Sequence, residues 1–80
     1  MPILRFYGSA TEATGVSFIQ IPAHIVTVDE LRHFLKHEYP EIAPILAVAT
    51  ITIDNTVVTE DDTSISLAHE IDILPPFAGG

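Results

Sequence analysis

Residues 27–39, with the sequence TVDELRHFLKHEY, decide the fold because they predict its one long helix. The helix begins at a capping box: the Thr27 hydroxyl can accept a hydrogen bond from the Glu30 amide, and the Glu30 side chain can bond back to the Thr27 backbone. Apolar residues then recur at the spacing of one helix face, at Val28, Leu31, Phe34 and Leu35. The helix is expected to end near Tyr39, because Pro40 disfavours helical dihedral angles in the residue before it.

Two strands are predicted before this helix. Residues 3–7 and 16–21 alternate in hydropathy and contain β-branched or aromatic residues. Residues 8–15 connect them and have room for one helical turn, and Pro22 closes the second strand. We expect the pair to form a hairpin.

Three more strands are predicted after the helix. Residues 46–53 have the alternation of a strand, and Asp54-Asn55 predicts a tight hairpin turn into residues 56–58. The last strand is predicted at residues 70–74. It stops at Pro75-Pro76, because proline cannot donate a hydrogen bond to a strand ladder.

The predicted order of elements is β-β-α-β-β-β, an α+β arrangement in which one helix packs on one face of a mixed sheet. The ubiquitin-like β-grasp fold has this order. We expect Val28, Leu31 and Leu35 to face the sheet. Since 48% of the 80 residues are hydrophobic, the chain can form a dense core over residues 1–76, followed by a flexible diglycine tail at residues 77–80.

The composition excludes several classes of protein. There is no cysteine, which excludes a disulfide scaffold, a thiolate metal site and a cysteine nucleophile. Eleven acidic residues against three basic ones give a net charge of −8, which disfavours nucleic-acid binding. The charge suits a partner with a basic groove, but it can equally serve solubility.

No segment of the sequence predicts association with a membrane. The first residues lack the apolar run of a signal peptide, and the longest uncharged run, residues 42–53, is far shorter than the roughly 20 residues that span a bilayer. We therefore expect a cytoplasmic protein.

The body of the chain offers no convincing active site. His33 and His37 have the spacing of two zinc ligands on a helix, but neither His24 nor His69 is close in sequence, so a polar helix face is the preferred interpretation and no metal is predicted. Residues 8–15 lack the lysine and spacing of a phosphate-binding loop, the serines lack a nucleophile elbow, and the acidic loop at residues 60–62 is expected to be solvated.

The C-terminal residues carry the candidate chemistry. Pro75-Pro76 favours an extended exit from the last strand, and Phe77, Ala78, Gly79 and Gly80 then taper in size. A diglycine segment can enter a channel too narrow for other residues, because glycine has no Cβ atom. The α-carboxylate of Gly80 can be converted with ATP to an acyl-adenylate, which a sulfur nucleophile can attack to form a thiocarboxylate.

Residues 71–80, with the sequence IDILPPFAGG, resemble the end of the small, sulfur-carrier subunit of molybdopterin synthase. Length and element order extend the resemblance to the whole chain. The thiamine-pathway carriers of the same ubiquitin-like family also end in Gly-Gly, but they tend to be shorter and to lack the proline pair.

The resemblance implies a β-grasp fold and a two-stage mechanism. An E1-like adenylyltransferase consumes ATP to adenylate Gly80, which becomes a thiocarboxylate, and no cofactor is bound. Residues 75–79 then enter the large synthase subunit, where Gly80 donates sulfur to cyclic pyranopterin monophosphate to form the dithiolene of molybdopterin. Two small and two large subunits form a heterotetramer, so the chain is expected to act as a subunit and to have no activity alone.

Two positions depart from the family pattern. Ala68-His69-Glu70 stands where the family usually has Gly-Asp-Glu before the last strand, so Ala68 is expected to be strained if that turn needs a positive φ. Phe77 stands where a smaller aliphatic residue is more common. Two other functions use the same tail and remain open: a protein modifier joined to lysine through Gly80, and a sulfur carrier for thiamine or another pathway.

Overall fold

The computed structural model describes residues 1–76. The predicted helix, α2, spans Val28–Glu38 and has Tyr39 as its C-terminal cap. Its capping box is formed as expected, with the Glu30 amide 3.2 Å from Thr27 Oγ1 and the Thr27 amide 3.3 Å from Glu30 Oε1. The sequence prediction of this helix is therefore confirmed at both ends.

Five strands form one mixed sheet in the order β2-β1-β5-β3-β4. They are β1 (Ile3–Phe6), β2 (Phe18–Gln20), β3 (Thr50–Ile53), β4 (Thr56–Val57) and β5 (Glu70–Leu74). The central pair, β1 and β5, is parallel, and the other three pairs are antiparallel. The α+β, mixed-sheet prediction is confirmed, including the hairpin of β1 with β2.

Three short helices add to the predicted order. Helix α1 (Ser9–Thr14) occupies the first connection, a 3₁₀ turn spans Pro40–Ile42, and helix α3 spans Ala43–Leu46. The prediction of a strand from residue 46 was wrong at its start, because Leu46 is helical and β3 begins only at Thr50. Pro44 at the start of α3 favours this helical turn, since proline has a suitable φ and needs no hydrogen-bond partner there.

The strand ends also differ slightly from the prediction. Tyr7, Val16, Ser17 and Ile21 lie just outside β1 and β2, and Val58 lies outside β4. Ile21 nevertheless donates a backbone hydrogen bond to Pro2 at 3.0 Å. Strand boundaries are poorly defined by alternation alone, because a residue next to a strand can keep the same hydropathy without pairing.

The turn between β3 and β4 is the predicted tight hairpin. Asp54 has φ 47° and Asn55 has φ 71°, as a two-residue turn with both central residues in the left-handed region requires. Asparagine and aspartate tolerate this region better than other non-glycine residues. The prediction of the turn is confirmed.

The core lies between α2 and one face of the sheet. Val28, Leu31 and Leu35 are fully buried, as predicted. The sheet and the connecting segments contribute the other buried apolar residues, which are Leu4, Phe6, Ala10, Ile21, Ile42, Leu46, Ile51, Ile65, Ile71 and Ile73. Within β5 the buried isoleucines alternate with the half-buried Glu70, Asp72 and Leu74, so the second face of the sheet is turned away from α2.

Candidate functional site

Strand β5 is the rigid base of the C-terminal segment. It lies in the sheet between β1 and β3, with Ile73 paired to Phe6 on one side and to Ile51 on the other. Its last residue, Leu74, is opposite Thr50 of β3. A strand that is hydrogen-bonded on both sides holds its end in place, so the direction in which the chain leaves the domain is determined by the sheet.

The two prolines after β5 have different environments. Pro75 is buried, whereas Pro76 is exposed. Pro75 is predicted to contact the partner, and its burial shows that it also packs into the domain. The remaining predicted site residues, Phe77, Ala78, Gly79 and Gly80, lie outside the described residues, as does the predicted flexibility of residues 77–80.

The start of β5 is held by the β3–β4 turn. The Asp54 carboxylate accepts hydrogen bonds from the backbone amides of Glu70 at 2.9 Å and His69 at 3.1 Å. The Glu70 hydrogen bond, followed by that of His69, lowers the pKa of Asp54 below the ordinary value of 3.8, because both stabilise the charged form. The turn and the strand are therefore joined by a charge-assisted contact.

The expected strain at Ala68 is not found. Among residues 1–76, positive φ occurs only at Gly8, Gly15, Asp54 and Asn55. Ala68 instead donates its backbone N–H to Ile65 at 3.1 Å. The departure from Gly at this position therefore causes no backbone strain, because the segment before β5 follows a path that alanine adopts freely.

His33 and His37 lie on the outside of α2, beside an open apolar groove of about 600 Å³. The groove is lined by His24, Ile25, Glu30, His33, Phe34 and His37. His33 Nδ1 lies 2.9 Å from the Asp29 carbonyl oxygen, and Glu30 is used in the capping box. Within the part of the chain that the structure describes, no three histidine or acidic residues are placed to share a metal ion.

The acidic loop at residues 60–62 is exposed, as predicted, but it also has a structural role. Asp61 Oδ1 accepts a hydrogen bond from Arg32 Nε at 3.0 Å, and the Asp61 carbonyl accepts one from the Asp29 amide at 2.8 Å. These contacts fix the loop to the first turns of α2, so Asp61 is a structural residue of the loop.

The sequence alone did not identify a polar contact on the face of the sheet that is turned away from α2. Arg5 Nε lies 3.3 Å from Glu70 Oε1, and Thr52 Oγ1 lies 3.4 Å from Asp72 Oδ2. Within residues 1–76, Asp72 Oδ1 is buried and has no hydrogen-bond partner. The sequence did contain a signal for this contact, because Glu70 and Asp72 alternate with isoleucines. Since successive side chains of a strand point to opposite faces, this alternation places both carboxyl groups on the same face.

Burial is the main reason that the pKa of Asp72 is raised above the ordinary value of 3.8, and the neighbouring Glu70 raises it further. A carboxylate cannot donate a hydrogen bond, so Glu70 and Asp72 can bond to each other only while one of them holds a proton. The hydrogen bond from Thr52 and the positive charge of Arg5 both lower the pKa of Asp72. Arg5 is already paired with Glu70, so the two carboxyl groups share a single cation.

The structure as a whole matches a known architecture. The chain superposes on the crystal structure of SAMP1 from Haloferax volcanii with a TM-score of 0.78, over 98% of this chain and 97% of that one, at 13% sequence identity. Together with the mixed five-stranded sheet around α2, this defines the class of protein as a ubiquitin-like β-grasp domain. None of the helices in residues 1–76 is long and apolar enough to cross a membrane.

Sequence comparison places the chain within this class. The model of the ThiS family matches residues 4–80. The molybdopterin synthase sulfur carrier subunit of Dictyostelium discoideum is 36% identical over 64 residues, which are 79% of this chain and 74% of that protein. The chain therefore belongs to the ThiS family, and the resemblance drawn from residues 71–80 is confirmed.

Proposed function

We propose that this chain is the sulfur-carrier subunit of a molybdopterin synthase and that Gly80 carries the sulfur as a thiocarboxylate. The observation that carries the proposal is the 36% identity to the Dictyostelium sulfur carrier subunit. The family match, which extends to residue 80, adds support because it includes the diglycine.

The proposed chemistry begins with ATP. A carboxylate oxygen of Gly80 attacks the α-phosphate, pyrophosphate leaves, and a mixed anhydride with AMP is formed on an E1-like adenylyltransferase. Sulfur at the hydrosulfide level then attacks the activated carbonyl carbon, displaces AMP and loses its proton, which leaves a thiocarboxylate. The sulfur of the thiocarboxylate then attacks a carbon of cyclic pyranopterin monophosphate in the large subunit of a heterotetramer and displaces an oxygen substituent. Water hydrolyses the acyl–sulfur bond of the resulting thioester, so the sulfur stays on the pterin and Gly80 returns to a carboxylate. Two carriers supply the two sulfurs of the dithiolene.

The body of the domain serves this chemistry by presenting the tail. Gly80 is the sixth residue after Leu74, so its carboxylate can lie at most about 20 Å from the end of β5. Because β5 is held by β1, β3 and Asp54, the tail starts from a fixed position. We propose that residues 75–79 contact the partner. We also propose that the protein acts in the cytoplasm, where ATP is available.

The proposal is tested by loading the protein with sulfur. The purified chain is incubated with the activating enzyme, ATP and a sulfur donor, and its mass is measured intact and after digestion. We expect the mass to rise by the difference between one sulfur and one oxygen atom, with the change in the C-terminal peptide. A variant lacking Gly80 should fold, accept no sulfur and yield no molybdopterin, because its carboxylate lies up to about 3.6 Å short of the reacting atoms.

The matched controls are Asp61→Asn and His37→Ala, which change side chains remote from β5 and should leave loading unchanged. Product formation by the protein lacking Gly80 would refute the tail mechanism. Lysine conjugates formed in place of molybdopterin would instead support a protein modifier, and sulfur transfer to a thiazole synthase would support a thiamine-pathway carrier.

A further inference from the structure

Two carboxyl groups lie side by side on the face of the sheet that is turned away from α2. Glu70 and Asp72 occupy alternate positions of β5, and the fully buried Ile71 between them points to the other face. Since each strand residue advances the chain by about 3.3 Å, the Cα atoms of Glu70 and Asp72 are about 7 Å apart, and their side chains can meet. We call these two residues the carboxyl pair.

The carboxyl group of Asp72 has too few hydrogen-bond donors. Its Oδ1 atom is buried and has no partner within residues 1–76, and its Oδ2 atom receives only a long hydrogen bond of 3.4 Å from Thr52. A buried oxygen without a donor raises the free energy of the folded protein, and a charged oxygen raises it more than a neutral one. The ionised form of Asp72 is therefore poorly stabilised at this position.

In the part of the chain that the structure describes, the strands on either side of β5 bring one positive charge to the carboxyl pair. Arg5 of β1 is in register with Asp72, but its Nε atom is paired with Glu70 Oε1 at 3.3 Å. The guanidinium carbon of Arg5 also lies 5.8 Å from the centre of the Phe18 ring. On β3, the residue opposite Asp72 is the uncharged Thr52. One cation thus faces two carboxyl groups.

The β3–β4 turn adds a negative charge near the pair. The Asp54 carboxylate accepts the backbone N–H groups of Glu70 at 2.9 Å and of His69 at 3.1 Å, which hold it beside the start of β5. This third carboxylate cannot donate a hydrogen bond to Asp72 or Glu70 while it is ionised. A proton is therefore the simplest donor that can satisfy Asp72 Oδ1.

We propose that Glu70 and Asp72 share one proton in the folded protein and that the carboxyl pair is a pH-sensitive joint in β5. With the proton, one carboxyl group donates a hydrogen bond to the other and braces the strand. Without it, two carboxylates repel each other beside a single arginine, and the strand is held less firmly. The pair lies wholly within the folded domain, so this inference is independent of the proposed function.

The joint makes acid stabilising over part of the pH range. The pKa of Asp72 is raised above 3.8 by burial and by Glu70, against the opposing effects of Thr52 and Arg5. The folded protein therefore holds a proton that the unfolded chain has lost, and its stability increases as the pH falls from neutral through the folded-state pKa. The gain is complete below 3.8. Asp54 acts in the opposite sense and at lower pH, because its own pKa is lowered below 3.8.

The first test follows the carboxyl carbons by NMR as the full-length protein is titrated with acid. We expect the Asp72 carbon to titrate with a midpoint above 3.8, and the Glu70 carbon to shift over the same pH range because it takes part in the same hydrogen bond. An Asp72 midpoint at or below 3.8 would overturn the proposal.

The second test separates a shared proton from burial alone. Glu70→Gln removes the second carboxyl group, and we expect the Asp72 midpoint to fall. Because this variant also frees Arg5 to pair with Asp72, the same substitution is made in an Arg5→Gln background, where the midpoint should fall as well. An Asp72 midpoint that Glu70→Gln leaves unchanged in the Arg5→Gln background would assign the effects to burial and to Arg5, and the proton sharing would be wrong.

The third test measures the urea midpoint of unfolding between pH 7 and pH 3.8. Asp72→Asn imitates the protonated carboxyl group, since its amide can donate to Glu70 at every pH. We expect this variant to unfold at a higher urea concentration than the unchanged protein at pH 7, and the difference to shrink as the pH falls towards 3.8.

Asp62→Asn is the matched control, because it removes the same charge from an exposed loop residue. It reports the relief of general repulsion in a protein of net charge −8, so only the excess of Asp72→Asn over Asp62→Asn belongs to the joint. An excess that decreases with falling pH supports the proposal. Equal midpoints for the two variants throughout this pH range would overturn it, and none of these results depends on sulfur loading.

Discussion

The carboxylate of Asp54 accepts a hydrogen bond from the backbone N–H of Glu70 at 2.9 Å, which joins the β3–β4 turn to the first residue of the strand that leads to the tail. The backbone N–H of Asp54 in turn donates to the Glu70 carbonyl at 2.8 Å. The two residues thus bond to each other in both directions. This contact fixes the start of β5, while Pro75 packs at its end.

The Asp54 contact predicts a dependence of stability on pH. The pKa of Asp54 is lowered below 3.8 in the folded protein, mainly by the Glu70 hydrogen bond, which the unfolded chain lacks. Its stabilising contribution is therefore present above the unfolded-state pKa and is lost as the pH falls through the folded-state pKa. Asp54→Asn should lose this part of the pH dependence while keeping a residue that tolerates positive φ.

The measurement is the urea midpoint of unfolding, followed from neutral pH to below the ordinary aspartate pKa of 3.8. Asp62→Asn, at an exposed loop residue, is the matched control and should keep the acid dependence of the unchanged protein. An Asp54→Asn curve parallel to that of the unchanged protein would show that the carboxylate contact contributes nothing to stability.

The left-handed conformation of Asn55 predicts opposite effects for two substitutions. Asn55→Val should destabilise the protein by about 1–2 kcal/mol, because a β-branched side chain clashes with the backbone at φ 71°. Asn55→Gly is the matched control and should be tolerated, since glycine adopts this conformation freely. Equal free energies of unfolding for the two variants, measured in denaturant, would contradict the turn geometry.

The central packing of α2 is tested at Leu31, which is fully buried. Leu31→Ala should lower the free energy of unfolding by about 2–5 kcal/mol, because it removes apolar contacts and leaves a cavity. Val48→Ala, at a residue 63% exposed, should change it by no more than about 0.5 kcal/mol. Similar denaturation midpoints for both variants would place Leu31 outside the core.

We predict that His33 and His37 hold no structural zinc. His33 Nδ1 is bonded to the Asp29 carbonyl, and no third ligand joins the two histidines within residues 1–76. Elemental analysis of the purified protein should find no stoichiometric metal, and His33→Ala should unfold at the same temperature as the unchanged protein. A bound metal that disappears in His33→Ala would overturn this prediction.

The width of the partner's channel is tested at Gly79. Under the proposed function, Gly79→Val should reduce sulfur transfer about a hundredfold, because a β-branched side chain displaces the Gly80 carboxylate by about 1 Å or more. Gly79→Ala adds a single methyl group and should have a smaller effect. Single-turnover transfer rates measure both, and full activity of Gly79→Val would exclude a narrow channel at this position.

The prediction from sequence succeeded where the local structure depends on residues that are close together in the chain. The capping box of Thr27 and Glu30 closes within one turn of α2, and the Asp54-Asn55 turn depends on the backbone preferences of two adjacent residues. It failed at residues 46–49, where a short apolar run fits a strand as well as a helical turn. There, the packing of Leu46 into the core and Pro44 at the start of α3 decided the conformation.

The sequence by itself determined α2, the β3–β4 turn, the end of β5 and the diglycine, because these depend on local hydrogen bonding, steric preference and residue identity. Only the tertiary structure decided that Asp54 accepts a hydrogen bond from Glu70, that Pro75 is buried, and that Phe18, Arg5 and Asp72 lie side by side on one face of the sheet. The physical reason is that strand pairing brings together residues far apart in the chain, and each register places a different set of side chains on the same face.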